Sequence, residues 1–225
     1  MKVTQQKNKL EIKVKQCKNV ERPLHNPLLP DSLRVGCLGK SNSGKSSLVL
    51  ALLEHPNGIK FQNIYLLSKT VHQPQYQRFK QIMDTIPFMR FYYFNSTNEF
   101  PEYSNITPYS VCIFDDIGCE KGQNVIKNIF SYGRHKHLSC FYLSQSYTKI
   151  PKTLVRDNLN LIILFQTDFK NLKHVHQEFA AEISFSDLIK MCRLAWKQPY
   201  GFLVIAPDDY KNGKYRIGFD RFITL

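Results

Sequence analysis

Eight consecutive residues constrain this chain more than any other stretch. Gly39-Lys40-Ser41-Asn42-Ser43-Gly44-Lys45-Ser46 fits the pattern GxxxxGK[ST] at every fixed position. The glycines let the backbone close into a nest of N–H groups around phosphate oxygens, and a helix opening within the run adds its positive N-terminal end. The context fits, because the apolar segment Leu33–Leu38 precedes the run as a strand. A helix from about Lys45 to Glu54 follows, stopped by Pro56 and Gly58. In such a loop Lys45 reaches the outer phosphates and the Ser46 hydroxyl ligates magnesium. Gly39, Lys40, Ser41, Asn42, Ser43, Gly44, Lys45, Ser46 and Ser47 are therefore the candidate nucleotide-binding residues, with ATP and Mg²⁺ the expected cofactors.

Downstream, strand and helix patterns alternate, the mark of a mostly parallel sheet covered on both faces. Strands are expected at Asn63–Leu67, Phe91–Phe94, Val111–Phe114, Cys140–Leu143 and Leu161–Phe165. Helices are expected over the apolar spacing of Tyr76, Phe79, Ile82, Met83 and Ile86, and near Val125–Tyr132, Leu172–Phe179 and Phe185–Ala195. Phe202–Ile205 and Tyr215–Phe219, joined through Asn212-Gly213, read as an antiparallel hairpin. The expected fold is a three-layer α/β P-loop NTPase of the RecA/ASCE-like kind. Residues 31–225 form the domain, and residues 1–30 a basic leader with seven Lys/Arg against two Glu. Within the leader, Leu10–Val14 alternates as a short strand.

Val111-Cys112-Ile113-Phe114-Asp115-Asp116 is an apolar strand ending in two carboxylates. A Walker B element requires this: one acid beside magnesium and a second to orient or deprotonate water. Asp115 is the candidate metal-side residue and Asp116 the candidate base, with Glu120 as a substitute. Asp115-Asp116-Ile117-Gly118 also matches the DxxG of GTPases, but no NKxD-type guanine-reading loop follows a later strand. The next apolar strand ends in Ser144-Gln145-Ser146. Gln145 can donate to a phosphate and accept from water, which suits a sensor. Arg134, just before that strand, and Arg156, after it, are the candidates for an arginine finger acting across a subunit boundary.

Charge and cysteine usage narrow the partners. Lys and Arg outnumber Asp and Glu by 31 to 18, a formal charge of +13, which favours polyanions. Lys149, Lys152 and Lys170 are candidate DNA contacts. The aromatic run Phe91–Phe94 reads as packing, with base stacking the alternative. The longest apolar runs, Leu48–Leu53 and Leu161–Phe165, fall far short of the roughly 20 residues of a membrane span. Met1–Val20 lacks the apolar centre of a signal peptide. Cys37, Cys112 and Cys140 lie within strand-like runs and read as buried thiols of a reducing compartment. The pairs His135/His137 and His174/His176 lack a Cys or acidic partner at zinc spacing.

The elements Gly39–Ser46, Ile113–Gly118, Gly133-Arg134-His135, the Gln145 strand and the terminal Tyr200–Phe219 region with Tyr215-Arg216 come in an informative order. It resembles the viral genome-packaging ATPases of the FtsK–HerA superfamily, the poxvirus-type and virophage/Polinton-type enzymes, over roughly residues 32–220. The resemblance implies a homo-oligomeric ring, a pentamer or hexamer, that pumps double-stranded DNA into a preformed capsid and works with capsid proteins. It implies Gly39, Gly44, Lys45 and Ser46 as nucleotide contacts, Asp115 and Asp116 as magnesium and water residues, Gln145 as sensor and Arg134 as finger. The implied setting is intracellular, in the host cytoplasm or viral factory or with the virion, and away from membranes. The rival readings are a helicase or transposition-linked ATPase, a nucleoside or nucleotide kinase, and a non-enzymatic DNA-binding protein. The last leaves the phosphate loop and paired carboxylates without a role.

Overall fold

A computed structural model describes residues 25–120, 122–153, 155–209 and 213–224. The leader strand Leu10–Val14, Cys17 and Asn212 of the hairpin turn lie outside the described residues. Among those described, nine strands form one sheet: β1 (Arg34–Leu38), β2 (Asn63–Ser68), β3 (Arg90–Phe94), β4 (Val111–Asp115), β5 (Ser139–Ser144), β6 (Leu161–Leu164), β7 (Leu203–Ile205), β8 (Tyr215–Ile217) and β9 (Arg221–Phe222). Their spatial order is β3-β2-β4-β5-β1-β6-β7-β8-β9. The first six are mutually parallel, and β7, β8 and β9 add on antiparallel. The expected hairpin is therefore present as β7 and β8, extended by a third short strand that begins after a turn at Gly218 (φ 69°).

Among the described residues, five α-helices cover the sheet: α1 (Lys45–Glu54), α2 (Pro74–Asp84), α3 (Asn124–Tyr132), α4 (Phe169–Phe179) and α5 (Phe185–Ala195). The two-residue period of the strands sorts their side chains between two cores. Cys112 and Phe114 of β4, with Cys140 and Tyr142 of β5, face α3, α4 and α5. Ile113, Phe141 and Leu143 face α1 and α2 from the other side. Strands buried on both faces explain the near-continuous apolar runs in the sequence. Cys37, Cys112, Cys140 and Cys192 are buried as free thiols and Cys119 is exposed.

The helix around Tyr76 is shorter than its apolar spacing predicts. Tyr76, Phe79 and Met83 are buried, whereas Ile82 and Ile86 are exposed. Pro87 disfavours helical backbone at Ile86, so the helix closes at Asp84 and Thr85 Oγ1 donates to the Ile82 carbonyl at 2.7 Å. β3, the outer strand, is only half packed. Tyr92 stacks on Tyr65 and Phe91 meets Phe79 edge-on, yet Tyr92 and Tyr93 keep much of their surface exposed.

The first described residues are tied into the fold. His25 is buried, with Nε2 3.0 Å from Ser139 Oγ and Nδ1 accepting from Lys60 N at 3.1 Å. Arg216, in β8, is 0% exposed; its guanidinium donates to the Leu28 carbonyl at 2.7 Å and to Asp209 Oδ2. In the sequence this arginine stands among the residues that carry the resemblance; in the fold it is a buried tie. Removing one partner of a buried ion pair costs about 3–5 kcal/mol. Arg216→Ala should lower stability by about that amount in urea unfolding. A loss below about 1 kcal/mol would show that the tie contributes little.

Candidate functional site

The site sits where the parallel strands end. β5 is inserted between β1 and β4, so the phosphate-loop strand and the acidic strand lie two strand spacings apart, about 10 Å. In register, Leu38 lies beside Ser144 and Asp115 beside Leu143, which brings all three strand tips to one edge. The loop leaving β1 is anchored on both sides: Gly39 N donates to the Ser144 carbonyl and Lys40 N to the Gln166 carbonyl, each at 3.2 Å. Gly44 takes φ 100° as the cap of α1 and offers no side-chain acceptor to the first turn. The first N–H donors of α1 therefore have no side-chain cap and open toward a cleft of about 800 Å³. Ser41 to Ser47, Asp115, Asp116 and Gln145 all line this cleft. Ser43 Oγ, in the loop itself, is buried without a hydrogen-bond partner among the described residues. Such an orphaned donor suits a ligand rich in acceptor oxygens.

Lys45 is buried, and its Nζ donates to the carbonyls of Gly39 at 2.9 Å and Lys40 at 2.8 Å. Burial lowers its pKa, a tendency opposed by Cys37 and the two Asp carboxylates. Asp115 shows the mirror image: burial raises its carboxyl above the usual range, opposed by hydrogen bonds from Tyr76 and Ser46 and by Lys45. Ser46 Oγ donates to Asp115 Oδ2 at 2.9 Å, and the Tyr76 hydroxyl donates to the same oxygen at 2.5 Å. A hydroxyl and a carboxylate so close together form the hard-oxygen pair that suits magnesium, which binds through one or two protein oxygens plus phosphate.

Asp116 differs sharply from its neighbour. It is exposed, adopts φ 53°, and its N–H donates to the Leu143 carbonyl at 3.2 Å. Gln145 Nε2 lies 3.4 Å from Asp116 Oδ2, so the candidate sensor and base face each other. The Gln145 carbonyl is held by Asn171 Nδ2 at 3.2 Å, and Asn171 Oδ1 accepts from Tyr147 N at 2.7 Å. Glu120 pairs with Lys69 at 2.5 Å instead of lining the cleft.

The two arginines part company. Arg156 Nη1 donates to Glu178 at 2.8 Å and its guanidinium lies over the Tyr147 ring, 4.9 Å from the centroid. With only 12% of its side chain exposed, it clamps the segment after β5 onto α4. Arg134 is exposed in a short turn before β5, at the sheet edge opposite this chain's own cleft. Lys149 and Lys170 follow the cleft-side ends of β5 and β6, and Lys152 lies a little further on; all three are exposed. His137 stacks on Tyr109 and His176 Nε2 lies 2.8 Å from the Ile183 carbonyl. No group of three or more His, Cys, Asp or Glu is gathered as a metal site among the described residues. Nor is any helix among them long and apolar enough to cross a membrane.

The sequence reading missed three cleft or support residues. Tyr76 registers there only as part of an apolar stripe, Asn171 is not singled out, and Tyr200 registers only as a residue of the terminal region. None carries a motif signal.

A glycine-bounded phosphate loop, an acidic strand two places away and a polar-tipped strand between them define a P-loop NTPase of the RecA/ASCE-like kind. The chain belongs to the Poxvirus A32 protein family, whose family model matches residues 21–221. No curated protein matches it. Among solved structures, it is similar to the genome packaging NTPase B204 from Sulfolobus turreted icosahedral virus 2. In complex with ATP-gammaS, that protein gives a TM-score of 0.57 at 18% identity, covering 87% of this chain and 100% of the other. The same protein with AMP gives 0.54 at 16% identity, covering 80% and 95%. These likenesses show the shared fold.

The Tyr76 bond yields a pH prediction. A raised carboxyl pKa means that the ionised form is lost early as pH falls. Tyr76 opposes that rise, so Tyr76→Phe should raise the Asp115 pKa further. The acid limb of the pH–kcat/KM profile should then move to higher pH, with the alkaline limb unmoved. An unshifted acid limb in a folded variant would remove Tyr76 from the account.

Proposed function

We propose that this chain is an ATP-driven motor that packages double-stranded DNA into a preformed viral capsid, working with magnesium as a ring of identical subunits. One observation carries the reading. Lys45, Ser46, Asp115, Asp116 and Gln145 meet in a single cleft of a chain that belongs to the Poxvirus A32 protein family and shares its fold with a genome packaging NTPase.

In this reading the loop N–H groups and Lys45 hold the triphosphate, while Ser46 and Asp115 hold magnesium. The metal, when bound, neutralises charge on the phosphate oxygens. Gln145 orients the attacking water and Asp116 accepts its proton, a division that matches the exposed, facing positions of the two side chains. Arg134 supports a trans role, since it is exposed at the sheet edge away from its own cleft and is free of the clamp that holds Arg156. Lys149, Lys152 and Lys170 supply backbone contacts to DNA near the nucleotide edge. Asp116 and Gln145 join the loops after β4 and β5, and Lys149 packs against Gly118 of the former, within 2.9 Å of where a Cβ would stand. A change at the γ-phosphate would therefore move the segment that carries Lys149.

Three measurements test this. Lys45→Ala should cut ATP hydrolysis by about a hundredfold or more while leaving the fold intact; normal turnover would sink the site assignment. Arg134→Ala should lose about 10³-fold in rate, yet regain turnover when mixed with Lys45→Ala subunits. Absence of rescue in confirmed mixed assemblies would count against the trans finger. Double-stranded DNA should stimulate hydrolysis, and the stimulation should fade with added salt as ionic contacts are screened. Hydrolysis indifferent to DNA at low salt would favour a kinase, and preference for single strands a helicase.

A further inference from the structure

The phosphate loop accounts for the triphosphate but not for the base, and one wall of the cleft is aromatic. Trp196 closes α5, and its Nε1 donates to the Leu164 carbonyl at 2.9 Å, pinning the end of that helix to the end of β6. The chain then doubles back sharply. Gly201 N donates to the Gln198 carbonyl at 3.0 Å, and a Cβ at Gly201 would stand 2.0 Å from the Ala195 carbonyl oxygen, so the turn requires glycine.

The residue at the crest of this turn is Tyr200. Its φ is 60°, a region that a bulky side chain rarely occupies, and it is 72% exposed. Backbone strain of this kind costs on the order of 1–3 kcal/mol and gathers at ligand sites. The Tyr200 ring stands directly beside the phosphate loop: a Cβ at Gly44 would meet Tyr200 Cδ1 at 3.0 Å and Phe165 Cε1 at 3.5 Å. Behind it the wall is built of packed rings, with Phe165 against Phe202 at 5.4 Å between ring centroids and Phe202 against Phe219 at 5.3 Å. Tyr200 thus lines the cleft that holds Ser46 and Asp115, and on its other side a second hollow of about 450 Å³.

We propose that Tyr200 is the platform on which the nucleobase stacks when the phosphates occupy the Gly39–Ser47 loop. The proposal rests on the nucleotide-site reading above and deepens it. Stacking needs only a π face and tolerates different bases, so the platform contributes affinity more than base identity.

The test is equilibrium binding of ATP and of inorganic tripolyphosphate to the full chain and to Tyr200→Asn, Tyr200→Phe and Tyr200→Trp. Asparagine removes the ring yet tolerates positive φ, which protects the fold. Tyr200→Asn should weaken ATP about tenfold or more and leave tripolyphosphate unchanged, while the two aromatic variants retain ATP. Unchanged ATP binding by folded Tyr200→Asn overturns the platform. Equal weakening of both ligands also overturns it, by making Tyr200 a support of the loop. If the unmodified chain binds neither ligand, the nucleotide site fails and the platform fails with it.

Discussion

A single hydrogen-bonded cluster, Ser46 and Tyr76 on Asp115 Oδ2, ties three elements into one site. Ser46 lies in the first turn of α1, Tyr76 belongs to α2 and Asp115 ends β4, so the bonds run from both helices of one face to the edge of the sheet. They can form only because β5 holds β1 and β4 about two strand spacings apart. A narrower gap would crowd Lys45 onto Asp115. A wider one would leave a buried carboxylate without partners, at a cost of about 1–3 kcal/mol or more. The slot left by β5 is where Gln145 emerges, facing the second carboxylate. The sheet order is therefore also the order of the site's parts.

The two acids stand in opposite environments. Asp115 is buried, with its carboxyl shifted upward by loss of water, and is held by two hydroxyl donors. Asp116, one residue on, turns outward through a left-handed backbone and keeps contact with solvent. A buried group has fixed geometry and suits holding, whereas an exposed one can exchange protons with water. Lys45 is likewise desolvated, and its ammonium rests on loop carbonyls. The domain bears the desolvation of two opposite charges at one edge, supported by the apolar layers on either side of β4 and β5.

Much of this was legible in the sequence because its signals are local. The phosphate loop is contiguous, and strands buried on both faces advertise themselves as apolar runs ending in polar residues at Asp115 and Ser144. Burial of Cys37, Cys112 and Cys140 followed from the same runs. What escaped is set by distant contacts. Tyr76 carries its hydroxyl to an acid in another strand, so its apolar spacing concealed its polar role. Arg156 and Arg134 look alike in sequence and differ only through Glu178 and Tyr147, which fold over one of them. Arg216 was marked by its neighbourhood, and only the packed structure shows it reaching back to Leu28. The strain at Tyr200 has no motif because it arises from a glycine turn pressed against a helix end.

The position of β1 at the centre of the sheet also bears on how the protein is made. β1 pairs only with β5 and β6, and the partners of Val35, Phe141 and Leu161, lie more than a hundred residues further along the chain. At a synthesis rate of about 5–20 residues per second, this apolar strand waits on the order of ten seconds before any neighbour exists. Meanwhile β2, β3 and β4 can pair among themselves. The phosphate loop thus gains its sheet partners only after β5 and β6 are made, so a shorter nascent chain cannot draw on nucleotide binding for stability.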